Sequence, residues 1–331
     1  MDKNIPIIAR FVAYLSDERH FSPYTGRCYG LDLRQYMDFL AHEGGLDILM
    51  PMEKSALDSP KGDGAGRTVT SRILACNVET IRGFLASLSD LKYSLATMSR
   101  KIATMRSFHK WMERVGLTNT NPMTLIRSPK QPKRLPKAIT VDQIERLLAA
   151  PDSSDLLGSR DRAILESLYS TGMRVSEVVG LNRGDVKDAG EKESSVQIRG
   201  KGKRERIAPL GGHALLAIRA YLKLIEIHKS SLPSGASAPL FVNKNGTRLS
   251  TRSVRRKVAS YLVKVGLDPD ISPHTIRHSF ATHMLDNGAD LRSVQELLGH
   301  QSLSSTQVYT HLTAGRMREA YDKAHPRSEA S

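Results

Sequence analysis

The 331-residue chain has 49 Lys and Arg against 34 Asp and Glu, a formal net charge of +15. That excess favours a polyanionic partner, nucleic acid first, because phosphates supply most of the affinity of basic proteins. No apolar run reaches membrane-spanning length. The apolar start from Ile5 to Leu15 is broken by Arg10 and closed by Asp17-Glu18-Arg19, so no secretory signal is expected. Cys28 and Cys76 are too few and too isolated for a disulfide framework or a zinc site, which points to a cytoplasmic protein. The length accommodates two domains of ordinary size.

In chain order, Ile7, Phe11 and Leu15 predict a first amphipathic helix, and Ser22-Pro23 starts a second that carries Tyr29, Leu33, Tyr36 and Leu40 to a stop at Gly44-Gly45. From Gly44 to Arg67 prolines and glycines interrupt any period, and the stretch reads as a long loop. Ile81, Phe84, Leu85 and Leu88 give a third helix; Leu95, Met98, Ile102, Met105, Phe108 and Met112 give a long apolar stripe on a fourth. Its opposite face holds Arg100, Lys101, Arg106, His109 and Lys110, read either as a solvated face or as phosphate contacts. Residues 127–137, RSPKQPKRLPK, are basic, proline-rich and aperiodic, as an interdomain linker is. The boundary therefore falls there, with a helical domain at 1–126 and a second domain at 138–331.

The second domain opens with Thr140 and Gln143 at capping-box spacing. A helix over 161–170 is broken at Thr171-Gly172, and Arg174 begins the next, with Val175, Val178 and Val179 inward. Val196 to Arg199 and Arg206 to Leu210 alternate around Gly200-Lys201-Gly202-Lys203-Arg204, a hairpin with Lys201 at its tip. Leu215 to Ile227 is helical and Leu240-Phe241-Val242 reads as a short strand. Ser250 caps a helix to Val265 whose polar face, with Arg252, Arg255, Arg256 and Lys257, reads either as a DNA-groove contact, the favoured reading, or as a solvated face.

Ser272 to Leu312 carries the densest chemistry. Ser272-Pro273 starts a helix that Asn287-Gly288 ends, and His274 and Arg277 share a face of it. A second helix fits Leu291 to Leu298 with Gly299 as its left-handed cap and His300 just beyond. Ser304 and Gln307 would cap a third, with Tyr309 in its first turns. Arginines and histidines in such a set can donate charge-assisted hydrogen bonds to the oxygens of a phosphodiester, which gain charge in the transition state. A tyrosine, with an ordinary pKa of about 10, attacks phosphorus usefully only among such cations.

Five separated segments together resemble the tyrosine recombinase family, also called phage integrases, and most closely its Xer branch. They are TGMRVSEVVGL (171–181), RGKGKRERIAPL (199–210), SPHTIRHSFATHML (272–285), VQELLGH (294–300) and STQVYTHL (305–312). The HSFATHML and AYDKAHPR wording resembles the XerC type more than XerD. The resemblance implies a mainly α, two-domain protein. Its parts would be an N-terminal helical, SAM-like core-binding domain that clamps DNA and an α+β catalytic domain with a small β-hairpin sheet. It implies Arg174 and Arg277 as a clamp on the scissile phosphate, with His274 beside the nucleophile's proton and His300 on a phosphate oxygen. Lys201 would be the general acid and Tyr309 the nucleophile of a 3′-phosphotyrosyl intermediate. No metal, cofactor or ATP is implied. The partners implied are a double-stranded DNA recombination site, a tetramer on two sites with a second, XerD-type recombinase, and a septal DNA translocase. The role implied is chromosome dimer resolution at cell division, with residues after Tyr309 forming a helix that docks into the neighbouring protomer. Candidate DNA contacts are Arg100, Lys101, Lys203, Arg252, Arg255 and Arg256.

Three other readings compete. A metal hydrolase is suggested by His274, His278, His283, His300 and His311, but no HExxH is present and no helix pairs His with the carboxylate a catalytic zinc needs. A DNA-binding regulator without chemistry has no use for Tyr309 and Lys201 together. A mobile-element integrase would share all six catalytic residues.

Overall fold

The computed structural model describes residues 4–59, 67–129, 138–190, 193–200, 205–228, 234–299 and 311–329, the last with backbone alone at 311–314 and 316. The chain forms two compact units, Met1–Arg134 and Leu135–Ser331. No helix among the described residues is long and apolar enough to cross a membrane.

The first unit is helical: α1 (Pro6–Asp17), α2 (Pro23–Gly44), α3 (Met50–Asp58), α4 (Val69–Leu74), α5 (Val78–Asp90) and α6 (Leu95–Arg114). Ser22, Asn77 and Ser94 cap α2, α5 and α6 by accepting a backbone N–H three residues on. The apolar faces meet in a core in which Phe11, Phe108 and Trp111 contact one another, with ring centroids 5.2–6.0 Å apart.

Helix α3 corrects the reading of 44–67 as loop. Only two of its residues face inward, Glu53 and Leu57, and the first is charged, so apolar periodicity could not reveal it. The fully buried Glu53 carboxylate accepts the Val69 N–H at 2.8 Å and the Thr70 N–H at 2.7 Å. It thereby satisfies the free N–H groups that open α4 and ties α3 to it.

The second unit contains α7 (Val141–Ala149), α8 (Leu156–Thr171), α9 (Val175–Gly180), β1 (Val186–Lys187), β2 (Ser195–Arg199), β3 (Glu205–Pro209), α10 (Gly212–His228), α11 (Thr251–Lys264), α12 (Pro273–Asp286), α13 (Leu291–Leu298) and α14 (His311–Ala324). The strands form one antiparallel sheet in the order β1-β2-β3, with Arg199 opposite Glu205 at the end that carries the hairpin. Leu240–Val242 is not a strand. Its chain makes only isolated bridges, Asn182 with Pro239 and Val242 with Arg248.

Within the single chain, helix α14 is seated on the second unit. Met317, Tyr321 and Ala324 are buried in that unit's core. The Tyr321 hydroxyl lies 2.8 Å from Ser170 Oγ, and Asn287 Nδ2 donates to the Ala324 carbonyl at 2.7 Å. Just beyond it, buried His325 stacks on Tyr321 at 4.6 Å.

Candidate functional site

The site is built at the ends of four helices, α8, α9, α12 and α13. Helix α8 closes at Gly172, whose φ of 57° is left-handed; a Cβ there would also stand 2.6 Å from Phe280 and 2.8 Å from Leu298. Only glycine meets both demands. The turn it permits aims the Gly172 carbonyl at α12 and places Arg174 at the N-cap of α9.

Arg277, on the second turn of α12, is 8% exposed. Its Nη1 donates to the Gly172 carbonyl and its Nη2 to the Leu298 carbonyl at the end of α13, both at 2.6 Å. A cation thus meets the negative ends of two helix dipoles, which holds its charge inside the protein. Burial pulls the Arg277 pKa down to about 10, the neighbouring Arg174 charge adds to the fall, and Glu177 opposes it. It remains a cation at neutral pH. A guanidinium has five N–H donors, and two are used among the described residues.

Glu177 joins the second arginine to this frame. Its carboxylate accepts the Arg174 backbone N–H at 2.8 Å and Arg174 Nη1 at 3.1 Å, and takes Arg206 Nη1 and Nη2 at 3.1 and 2.9 Å. Burial alone would raise its pKa, but the bonds and charges of Arg206 and Arg174 outweigh it and hold the carboxyl below the usual range. The Arg174 side chain is 42% exposed and donates only from Nη1 among the described residues. Two guanidiniums thus lie close enough to repel, each anchored on one edge. An anionic phosphate placed between them would relieve that repulsion and complete their hydrogen bonding.

His274, one turn before Arg277, is exposed at the start of α12. Lys201, Lys203, His300 and Tyr309 lie outside the described residues. Their flanks are placed: β2 ends at Arg199 and β3 begins at Glu205, around Lys201 and Lys203. Helix α13 ends in Gly299, left-handed at φ 64°, beside His300, and α14 starts at His311. His283 is not beside the arginines. It is buried against Tyr169, with Nδ1 2.9 Å from the hydroxyl. Among the described residues no three His, Cys, Asp or Glu stand close enough to share a metal ion.

Arg252, Arg255 and Arg256 are exposed along one face of α11, while Lys257 reaches Asp161 at 3.5 Å. Lys101 is not on a DNA-facing surface: it is 5% exposed, with Nζ 3.0 Å from buried Asp32 and 2.6 Å from Gln35 Oε1. Arg100 pairs with the same carboxylate and stays 46% exposed on its side chain. His109, also read onto the basic face, is buried. Within the 199–210 segment the resemblance gives a role to Lys201 and none to Arg206. Its signal was a reversed alternation, with arginine at the inward position of β3 and Ile207 outward.

A model of the phage integrase family matches residues 137–316. The chain is 42% identical to the tyrosine recombinase XerC of Pelobacter propionicus over 321 residues, covering 97% of this chain and 95% of that protein. It is 39% identical to the XerC of Myxococcus xanthus, covering 98% of both. Its fold is similar to that of the XerH site-specific recombinase bound to difH substrate in a pre-cleavage complex. There the TM-score is 0.62 at 21% identity, over 89% of this chain and 77% of that one. The DNA-bound lambda integrase fragment gives 0.60 at 18% identity over 94% and 95%.

Proposed function

The chain belongs to the phage integrase family and is a site-specific tyrosine recombinase, and from that premise we propose a residue-by-residue mechanism. Arg174 and Arg277 grip the two non-bridging oxygens of the scissile phosphate. Tyr309 attacks phosphorus through its phenol oxygen, and the bond from phosphorus to the 5′ oxygen breaks. Lys201 gives its proton to the leaving 5′ oxygen, leaving a 3′-phosphotyrosyl link. His300 donates to a phosphate oxygen and His274 holds the phenol's proton. The link retains the energy of the phosphodiester, so a partner strand's 5′-hydroxyl can reverse the step without ATP. Cations take the part a metal ion plays elsewhere.

One observation carries this reading: Arg277 is buried on two helix-end carbonyls, uses only two of its five donors among the described residues, and stands beside a half-exposed Arg174. A purely structural arginine would be saturated. The exposed α11 arginines and Arg100 would contact the duplex outside the reacting phosphate. The similarity to XerC proteins supports a role in chromosome dimer resolution; the proposal extends to action in the cytoplasm as a tetramer on two sites, with a second, XerD-type recombinase and under a septal translocase.

The test is a denaturing gel for covalent protein–DNA adduct on a nicked dimer-resolution site, in EDTA, with wild type and Tyr309→Phe. Wild type alone should form the adduct. An adduct from Tyr309→Phe would remove Tyr309 from the role, and dependence on added metal would overturn the metal-free mechanism.

A further inference from the structure

Arg206 is 7% exposed on β3, while its neighbour Ile207 is 51% exposed. A strand normally places these two the other way round, so something holds the arginine in. Its Nε donates to the Leu297 carbonyl at 3.1 Å, and its two terminal nitrogens grip Glu177. Glu177 in turn holds the backbone and side chain of Arg174. A Cβ on Gly299 would stand 3.1 Å from Arg206 Cδ, so the end of α13 packs directly on the arginine's stem.

One side chain therefore joins three elements: the strand that follows the Lys201 tip, the first turn of α9 with Arg174, and the last turn of α13 before His300. Stability alone does not explain it. Burying an ion pair strips water from both charges, and an apolar pair of similar volume commonly serves stability as well or better. What a planar, forked donor adds is direction, since three bonds fix both position and orientation.

We propose that Arg206 is a positioning residue of the recombination reaction, setting the hairpin, Arg174 and the end of α13 in mutual register without itself touching DNA. The inference rests on the roles given above to Arg174, Lys201 and His300. It places part of the control of the cleavage step in a side chain behind the site.

The experiment measures single-turnover cleavage of the nicked duplex, DNA affinity by gel shift and thermal unfolding, on the full chain. Variants are Arg206→Lys, Arg206→Met, Glu177→Gln and the double Arg206→Lys/Glu177→Gln. Arg206→Lys keeps the charge but loses the fork. It should melt near wild type, bind DNA with unchanged affinity and cleave about 10²-fold more slowly, the order of loss a small misplacement causes. Glu177→Gln should lose a similar factor, and the double variant should be no slower than the slower single, because the pair acts as a unit. A merely structural arginine would instead lower cleavage only in proportion to the folded fraction. Arg206→Lys cleaving at the wild-type rate, or losses that multiply in the double variant, would overturn the proposal. Should Arg206→Met fail to fold, Arg206→Lys still decides. Absence of adduct from wild type, despite binding, would count against the mechanism above, and the role of Arg206 would fall with it.

Discussion

Glu53 and Arg277 are both buried charges held by backbone groups at helix ends, one in each unit. The Glu53 carboxylate takes two N–H groups where α4 begins, and the Arg277 guanidinium takes two carbonyls where α8 and α13 end. They differ in what is left over. Each Glu53 oxygen accepts one backbone N–H, and no ion pair involves it among the described residues, whereas Arg277 has donors unused among the described residues and stands beside Arg174, which pulls its pKa down further. A buried charge that is satisfied ties helices together; one that is incompletely satisfied and next to its own kind waits for a ligand.

The largest effect expected from this contrast is on cleavage. Arg174→Ala and Arg277→Ala should each slow adduct formation by about 10³-fold, leaving most DNA affinity because the grip tightens in the transition state. They should part in stability. Arg277→Ala orphans two buried carbonyls and should cost about 3 kcal/mol. Arg174→Ala leaves Glu177 its bidentate partner Arg206 and should cost under about 1 kcal/mol. Gel kinetics and denaturant melts on the same preparations check both; equal destabilisation would mean that Arg277 is not specially anchored.

Glu53→Ala should show the converse. Two N–H groups lose their acceptor inside the protein, for a loss of about 3 kcal/mol in unfolding free energy, while cleavage by the folded fraction stays at the wild-type rate. A cleavage defect at a temperature where the variant is folded would refute its purely structural part.

What the sequence left hidden has a common physical cause. Helices α12 and α13, the Gly299 cap and the paired strands β2 and β3 were legible because apolar spacing and cap residues encode them locally. Helix α3, buried Lys101, buried His109 and inward Arg206 were not. In three of these a charge fills an inward position because a distant partner awaits it, Val69 and Thr70 for Glu53, Asp32 for Lys101 and Leu297 for Arg206. Periodicity treats such residues as surface, and only the fold supplies the partner. Of the candidate site, motif order and the resemblance singled out Arg174, His274 and Arg277, which the structure places close together, while Lys201, His300 and Tyr309 lie outside the described residues. Its support by Glu177, Arg206 and two helix-end carbonyls was not legible.

Acid should weaken both units through buried imidazoles. Burial lowers His109 in the first unit to about 4, and lowers His325 behind α14 to about 3, from the ordinary 6.5. Each binds its proton more readily when unfolded. Stability is therefore intact above about pH 6.5 and is lost toward pH 4 by about 1.4 kcal/mol per pH unit for each histidine. His109→Phe removes an imidazole whose Nε2 has no partner among the described residues. It should flatten the acid limb of the first unit alone, read by hydrogen exchange at pH 7 and 5. Unchanged acid sensitivity of α2 and α6 would remove His109 from the account.

The smallest effects separate surface charge from buried charge. Arg252, Arg255 and Arg256 are exposed, and no ion pair involves them among the described residues. Each is free to displace a counterion from DNA. Replacing one with Ala should weaken binding across sequences alike and reduce the slope of log affinity against log salt by about 1. Lys101→Ala should leave that slope unchanged and destabilise the first unit instead, because its charge is already spent on Asp32. A salt slope that falls with Lys101→Ala as it does with Arg255→Ala would mean that α6 opens this ion pair on DNA, and that burial in the free protein does not separate structural from DNA-facing charges.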